Sequence, residues 1–304
     1  PETLIPIVAV IFGATSGESH ANDVGLGAII GAPFMLSTVA MLVTGVAVFI
    51  FAARGRRSTA MRVNSHVLGR DIRFFLGAFS VALLSGFIQS QAVKVAIAIG
   101  LVLFYAFYIY KHATAKDEGP PSGEEAEELS PLHFARRNPD PGLPIIVAQI
   151  VFGLGLIVGA ATLFVQYVSD VATSIGVTPL ILSLIVVPLA TELPEKFNSV
   201  LWVRRGKDTL ALGNITGAMV FQSTLPVSFG MVFTEWHVRA AYVPAFLQAA
   251  LALVAASILF GTMAWQKKLS AQALLAAGIW YLVWIIVVFP VSAQKLVENW
   301  GWLK

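Results

Sequence analysis

The sequence predicts an all-α polytopic membrane protein whose two halves enter the membrane in opposite directions. Three observations predict it: long apolar runs almost free of charge, basic residues gathered in alternate loops, and a motif that occurs twice. Of 304 residues, 57% are hydrophobic and 12% are charged, about half the charged share of a soluble domain.

The apolar runs come first. Crossing about 30 Å at 1.5 Å per residue takes about 20 residues of helix. Apolar runs cover 1–13, 25–53, 74–88, 93–110, 143–167, 178–203, 209–233, 238–264 and 271–288. They predict nine membrane helices. The run at 1–13 is too short to span and reads as the second half of a helix. The run at 74–88 is also short, and adjoining residues are expected to supply a turn. Residues 14–24 read as a polar loop with Glu18, His20, Asn22 and Asp23, and 54–73 as a loop with six arginines. The stretch 111–142, with KDEGPPSGEEAEELSP and RRNPDP, reads as a soluble acidic linker. It divides a first membrane half, 1–110, from a second, 143–304. The tail QKLVENWGWLK is expected to rest at the membrane interface on Trp300 and Trp302.

Loop charges give the orientation. One alternating set of loops holds Arg54, Arg56, Arg57, Arg62, Arg70, Arg73, Lys111, Lys116, Arg136, Arg137, Arg204, Arg205, Lys207, Lys267 and Lys268. The other holds only Lys94, Arg239, Lys295 and Lys304. Fifteen against four puts the first set in the cytoplasm, with Lys196 alone left inside the membrane. A cell membrane is the expected location.

The repeat is the third observation. LGAIIGAPFMLST at 26–38 aligns with LGNITGAMVFQST at 212–224, seven of thirteen positions being identical. Upstream, Pro1-Glu2 aligns with Pro194-Glu195. The loop inside the first copy is external and that inside the second, Arg-Arg-Gly-Lys-Asp, is cytoplasmic, so the copies are inverted. Inverted repeats are a common plan of secondary transporters, with the site at the repeat interface near the midplane.

The segment 188–198, Pro-Leu-Ala-Thr-Glu-Leu-Pro-Glu-Lys-Phe-Asn, carries the candidate chemistry. A charge at mid-bilayer costs about 2.5–3.5 kcal/mol and normally faces a cavity or a partner. Pro188 and Pro194 each remove a backbone donor, and the segment reads as a broken helix. Glu2 and Glu195 are the repeat-related carboxylates. Two carboxylates neutralise one divalent ion and supply part of the six to eight oxygens that Ca2+ takes. Thr191 lies four residues before Glu195, on the same helical face, as a further oxygen ligand or as a hydroxyl bonded to its own preceding turn. Glu192 and Lys196 stand at i, i+4 with the acid first, the favourable order for a pair. Lys196 either neutralises Glu192, leaving Glu195 for the ion, or is itself an element of the site.

A Thr-containing Pro-Glu helix, a short charged loop and then Leu-Gly-Asn-x-x-Gly resemble the α-repeats of the cation/Ca2+ exchanger superfamily, in particular its prokaryotic Na+/Ca2+ exchanger-like members. The resemblance spans nearly the whole chain. It implies a fold of about ten helices in two inverted halves, of which this chain lacks the first helix and the front of the second. It implies the Pro-Glu glutamates, Glu2 and Glu195, as central cation ligands, with Thr191, Asn214, Gln222 and Ser223 beside them. This sequence departs from the pattern at Glu192, where the family has serine, and at Ala28, Ala32, Leu36 and Ala218, which lack ligand oxygens. The implied function is a secondary active antiporter exchanging Ca2+ for Na+ or H+ by alternating access. Another cation with H+ coupling is the alternative, and an intramembrane enzyme using Glu192 and Glu195 is the rival from another class.

The remaining features read as structural. The slight basic excess, 20 against 17, argues against nucleic acid as a partner and leaves the bilayer and inorganic cations; it says nothing of oligomeric state. The absence of cysteine excludes thiol catalysis and thiolate metal sites. No phosphate-binding loop or other cofactor motif occurs, so no cofactor is expected. His20 and Asp23 read as solvated loop residues, and Glu124, Glu125, Glu127 and Glu128 lack the spacing of a calcium loop. Gly153, Gly155 and Gly159 read as helix-packing positions.

Overall fold

The computed structural model describes residues 3–16, 19–115, 132–136, 138, 141–266 and 269–300, without the side chains of 12–20, 193–195, 266 and 289–300. The described residues are helical throughout, apart from turns and one pair of two-residue strands. The helices are α1 (Leu4–Ser16), α2 (Ser19–Met35), α3 (Met41–Ala53), α4 (Ser65–Ser85), α5 (Gln91–Thr114), α6 (Leu143–Ser174), α7 (Pro179–Arg204), α8 (Asp208–Gln222), α9 (Leu225–Phe233), α10 (Val243–Gln266) and α11 (Ala271–Trp300). A π-helical turn, Leu36–Ala40, joins α2 to α3.

Among the described residues, six helical runs are long and apolar enough to cross a membrane: Ala21–Ala53, Gln91–Thr114, Leu143–Ser174, Asp208–Phe233, Ala240–Trp265 and Ala271–Val288. The other expected spans fall on α1, α4 and α7. α1 is 13 residues long. In α4 the polar start, with Arg70, Asp71 and Arg73, dilutes the apolar character. In α7, Glu192, Glu195 and Lys196 interrupt the apolar sequence.

Several boundaries differ from the sequence-based expectation, each for a local reason. The polar stretch 14–24 is mostly helix, because α1 runs to Ser16 and α2 starts at Ser19. α4 starts at Ser65, capped by Asn64, whose Oδ1 accepts from the backbone N–H groups of His66 and Val67 at 3.0 and 3.3 Å. Arg70 and Arg73 therefore lie on a helix rather than in a loop. Lys94, expected in an external loop, is fully buried in the first turn of α5. The run 209–233 is split at Ser223 and Thr224 into α8 and α9. α11 continues to Trp300, so the expected tail is helical that far. Of the linker, 116–131, 137, 139 and 140 lie outside the described residues.

The helix expected to be broken is continuous. α7 runs from Pro179 to Arg204 through both internal prolines. It is entered and left through glycines at positive φ, Gly176 at 71° and Gly206 at 74°, a backbone that other residues adopt only with strain. Thr178 caps it, its Oγ1 accepting from Ile181 N–H at 3.4 Å.

Packing places α7 at the centre. It lies along α2 and also touches α3, α6 and α8. α4 packs on α8, α10 on α2, α5 on α9 and α3 on α11. At the arginine-rich face, Arg57 forms a two-point ion pair with Asp208 in the first turn of α8, at 2.7 and 2.8 Å. The same carboxylate accepts from Arg62 N–H at 2.8 Å, and Arg57 also reaches Val203 O at 2.9 Å. Ala60–Met61 pairs antiparallel with Leu269–Ser270, so the α3–α4 and α10–α11 connections are tied together.

Candidate functional site

Pro188 has no N–H to give to Leu184 O one turn earlier. That carbonyl instead accepts from Gln248 Nε2 of α10, at 3.3 Å. Gln248 is fully buried, so a neighbouring helix satisfies the carbonyl that the proline frees. Gly31 of α2 faces the same place: a Cβ there would stand 2.6 Å from Pro188 Cγ and 2.8 Å from Leu184 O. The glycine lets the two backbones approach.

One turn beyond Pro188 stands Glu192, at 0% exposure, and one turn further Lys196, at 1%. Lys196 Nζ lies 3.5 Å from Glu192 Oε2. Glu192 Oε1 accepts from Gln222 Nε2, at the end of α8, at 3.1 Å. The expected pairing of Glu192 with Lys196 is therefore present, and Gln222 joins it across thirty positions of sequence. Glu192 is held by an ammonium and an amide N–H.

Hydroxyls flank this centre, and their protons point backwards. Thr191 Oγ1 donates to Val187 O at 3.1 Å. Ser223 and Thr224, where α8 gives way to α9, both donate to Val220 O, at 3.0 and 2.7 Å. Ser37 and Thr38, in the π-turn, both donate to Phe34 O, at 3.1 and 2.5 Å. A hydroxyl that donates in this way keeps its oxygen lone pairs for a cation or a donor. The two Ser-Thr pairs are the aligned ends of the repeated motif. Both pairs donate to the aligned carbonyl, Thr224 also reaches Phe221 O at 3.0 Å, and each pair lies where regular α-helix fails.

The other expected ligands stand apart from this group or beyond view. Asn214 is half-buried on α8, two turns before Gln222. Glu195 lies in α7 with its side chain outside the described residues, and Glu2 is outside them altogether. Among the described residues no three His, Cys, Asp or Glu side chains cluster as a metal site.

Several buried polar residues were not singled out in the sequence. Gln248 is one; a lone amide inside VPAFLQAALALV was the available signal. Asp71 of α4, at 1% exposure, accepts from Tyr108 Oη at 3.0 Å, from Thr216 Oγ1 at 2.7 Å and contacts His112 Nε2 at 3.1 Å. It was hidden among the arginines of 54–73. Lys94 donates to Trp236 O at 3.2 Å and meets His237 Nε2 at 2.9 Å.

Residues 145–292 match the family described as sodium/calcium exchanger protein. The chain is 29% identical over 188 residues to CaxA of Alkalimonas amylolytica, a protein named as a candidate antiporter, covering 60% of this chain and 56% of that protein. It is 23% identical over 294 residues to the inner membrane protein YrbG of Escherichia coli (strain K12), covering 95% of this chain and 84% of YrbG. The crystal structure of the H+/Ca2+ exchanger CAX superposes with a TM-score of 0.64 at 19% identity, over 98% of this chain and 80% of that one. At that identity the superposition speaks for the fold.

Proposed function

We propose that this chain is a secondary active cation antiporter of the cation/Ca2+ exchanger superfamily, set in an inner membrane, a reading supported by the match of 145–292 to the sodium/calcium exchanger family and by the likeness to CaxA and YrbG. Ca2+ is the transported ion of this reading, exchanged for Na+ or H+ by alternating access. The observation that carries it is Glu192, a fully buried carboxylate set beside the break between α8 and α9. Buried ionisable groups in a membrane helix are there for ions or substrates by default. The match to an exchanger family supports a transporter over an intramembrane enzyme.

Two inverted halves, with about nine of ten family helices in this chain, fit the packing. α4 lies on α8 as α10 lies on α2, and the Ser-Thr pairs at 37–38 and 223–224 share their hydrogen bonds. In this reading Glu195 and Glu2 are the principal ligands, and Thr191, Asn214, Gln222 and Ser223 supply neutral oxygens. The pairing of Lys196 with Glu192 supports a division of labour in which Glu192 is already neutralised and Glu195 takes the ion.

The test is uptake of radioactive Ca2+ by proteoliposomes holding the full-length protein, under imposed Na+ or H+ gradients. Uptake driven by one gradient and lost in Glu195→Gln is the expected result. No Ca2+ flux under either gradient overturns the Ca2+ assignment. Flux of a different cation under an H+ gradient would then identify the alternative antiporter.

A further inference from the structure

Lys196 is a cation that cannot leave. Its side chain is 1% exposed and its Nζ has no hydrogen-bond acceptor among the described residues. What holds it is Glu192 Oε2, at 3.5 Å. A hydrogen-bonded ion pair closes to about 2.7–2.9 Å, so this is a charge facing a carboxylate across a looser contact. A lysine ammonium is a compact point charge on a flexible stem, unlike the flat fork of arginine. In charge and compactness it stands in for a monovalent alkali cation.

The position is peculiar to the second half. When Pro194-Glu195 is aligned with Pro1-Glu2, Lys196 falls opposite Thr3. The carboxylate has a second donor, Gln222 Nε2 at 3.1 Å, and the hydroxyls of Ser223 and Thr224 adjoin it in sequence. Without the lysine, the same place offers a buried carboxylate with one amide donor, from the helix end that also carries the Ser223 and Thr224 hydroxyls. A buried carboxylate left without a counter-charge is a position that a monovalent cation would fill.

We propose that the Lys196 ammonium is a tethered cation occupying a monovalent-cation site built on Glu192, so that this protein binds no Na+ there. The inference rests on reading α7 as the ion-binding helix, and it makes one coupling position permanently filled. The charge count of the exchange is then set without a soluble ion at Glu192.

Thermal unfolding of the full-length protein in detergent tests it, comparing NaCl with choline chloride at equal ionic strength. Lys196→Met is expected to gain a saturable Na+-dependent rise of about 3 °C at tenfold the dissociation constant. The wild type and the double variant Glu192→Gln/Lys196→Met are expected to show no such rise. A Lys196→Met protein recovered folded only in Na+ gives the same answer in stronger form. An equal Na+ shift in the wild type, a shift that survives Glu192→Gln, or no shift in folded Lys196→Met overturns the proposal. Failure of Lys196→Met in both salts while the double variant folds overturns it too. Absence of ion flux in the wild type strikes the antiporter reading and leaves this binding result standing.

Discussion

α2 and α8 carry the same motif and use it differently. In α2 the glycines are contact points. A Cβ on Gly27 would lie 1.9 Å from Ser183 Oγ, and one on Gly31 would meet the Pro188 ring and Leu184 O. In α8 the aligned glycines are open: nothing described lies within 4 Å of a Cβ on Gly213, and Tyr108 Oη is 3.8 Å from one on Gly217. The Ser-Thr ends of the two motifs, by contrast, share their bonds to the aligned carbonyls of Phe34 and Val220, to which Thr224 adds one to Phe221 O. A shared sequence transmits local backbone chemistry faithfully, whereas tertiary packing depends on which helix lies opposite. Here α7 lies opposite α2, and α4 opposite α8.

Four substitutions sharpen that contrast. Gly31→Ala should be the most damaging, since its methyl meets a proline ring and a backbone carbonyl. A loss of about 3 kcal/mol is expected, read as a drop in unfolding temperature in detergent. On the α8 side, Thr216→Val should cost about 2 kcal/mol, because Asp71 loses a buried donor to its charge. The aligned α2 residue is Ile30, so the reverse change there has no such partner to find. Gln248→Leu should cost about 1 kcal/mol through the unpaired Leu184 carbonyl, and should raise hydrogen exchange in α7 near Pro188. Gly213→Ala should be neutral or stabilising by about 0.5 kcal/mol. If Gly213→Ala instead harms as much as Gly31→Ala, the two helices pack alike and the contrast is wrong.

Much of this architecture is legible from residues alone, because apolar runs and loop charges act locally and one segment at a time. The described parts of the apolar runs fall largely on helices, and the i, i+4 pair of Glu192 and Lys196 forms as its spacing predicts. What was missed depends on three-dimensional neighbours. Proline reads as a breaker, and nothing near Pro188 in sequence announces that Gln248, sixty positions on, will supply the missing donor. Lys94 reads as a loop charge because it opens a helix, yet Trp236 and His237 close over it from a different segment. Asp71 sat within a stretch whose net charge was strongly positive, and a single acid there looked like a surface residue.

The Arg57–Asp208 pair has a consequence for how the chain is made. The partners are 151 positions apart. At about 5–20 residues per second of synthesis, Asp208 emerges about 8–30 s after Arg57. During that interval Arg57 is an unpaired positive charge, available to the insertion machinery as a topological signal alongside its neighbours. Once α8 arrives, the same guanidinium is captured at the start of that helix and ceases to be a free surface charge. A single side chain thus carries a positive charge while the early helices are made and fastens the second half to them once α8 arrives.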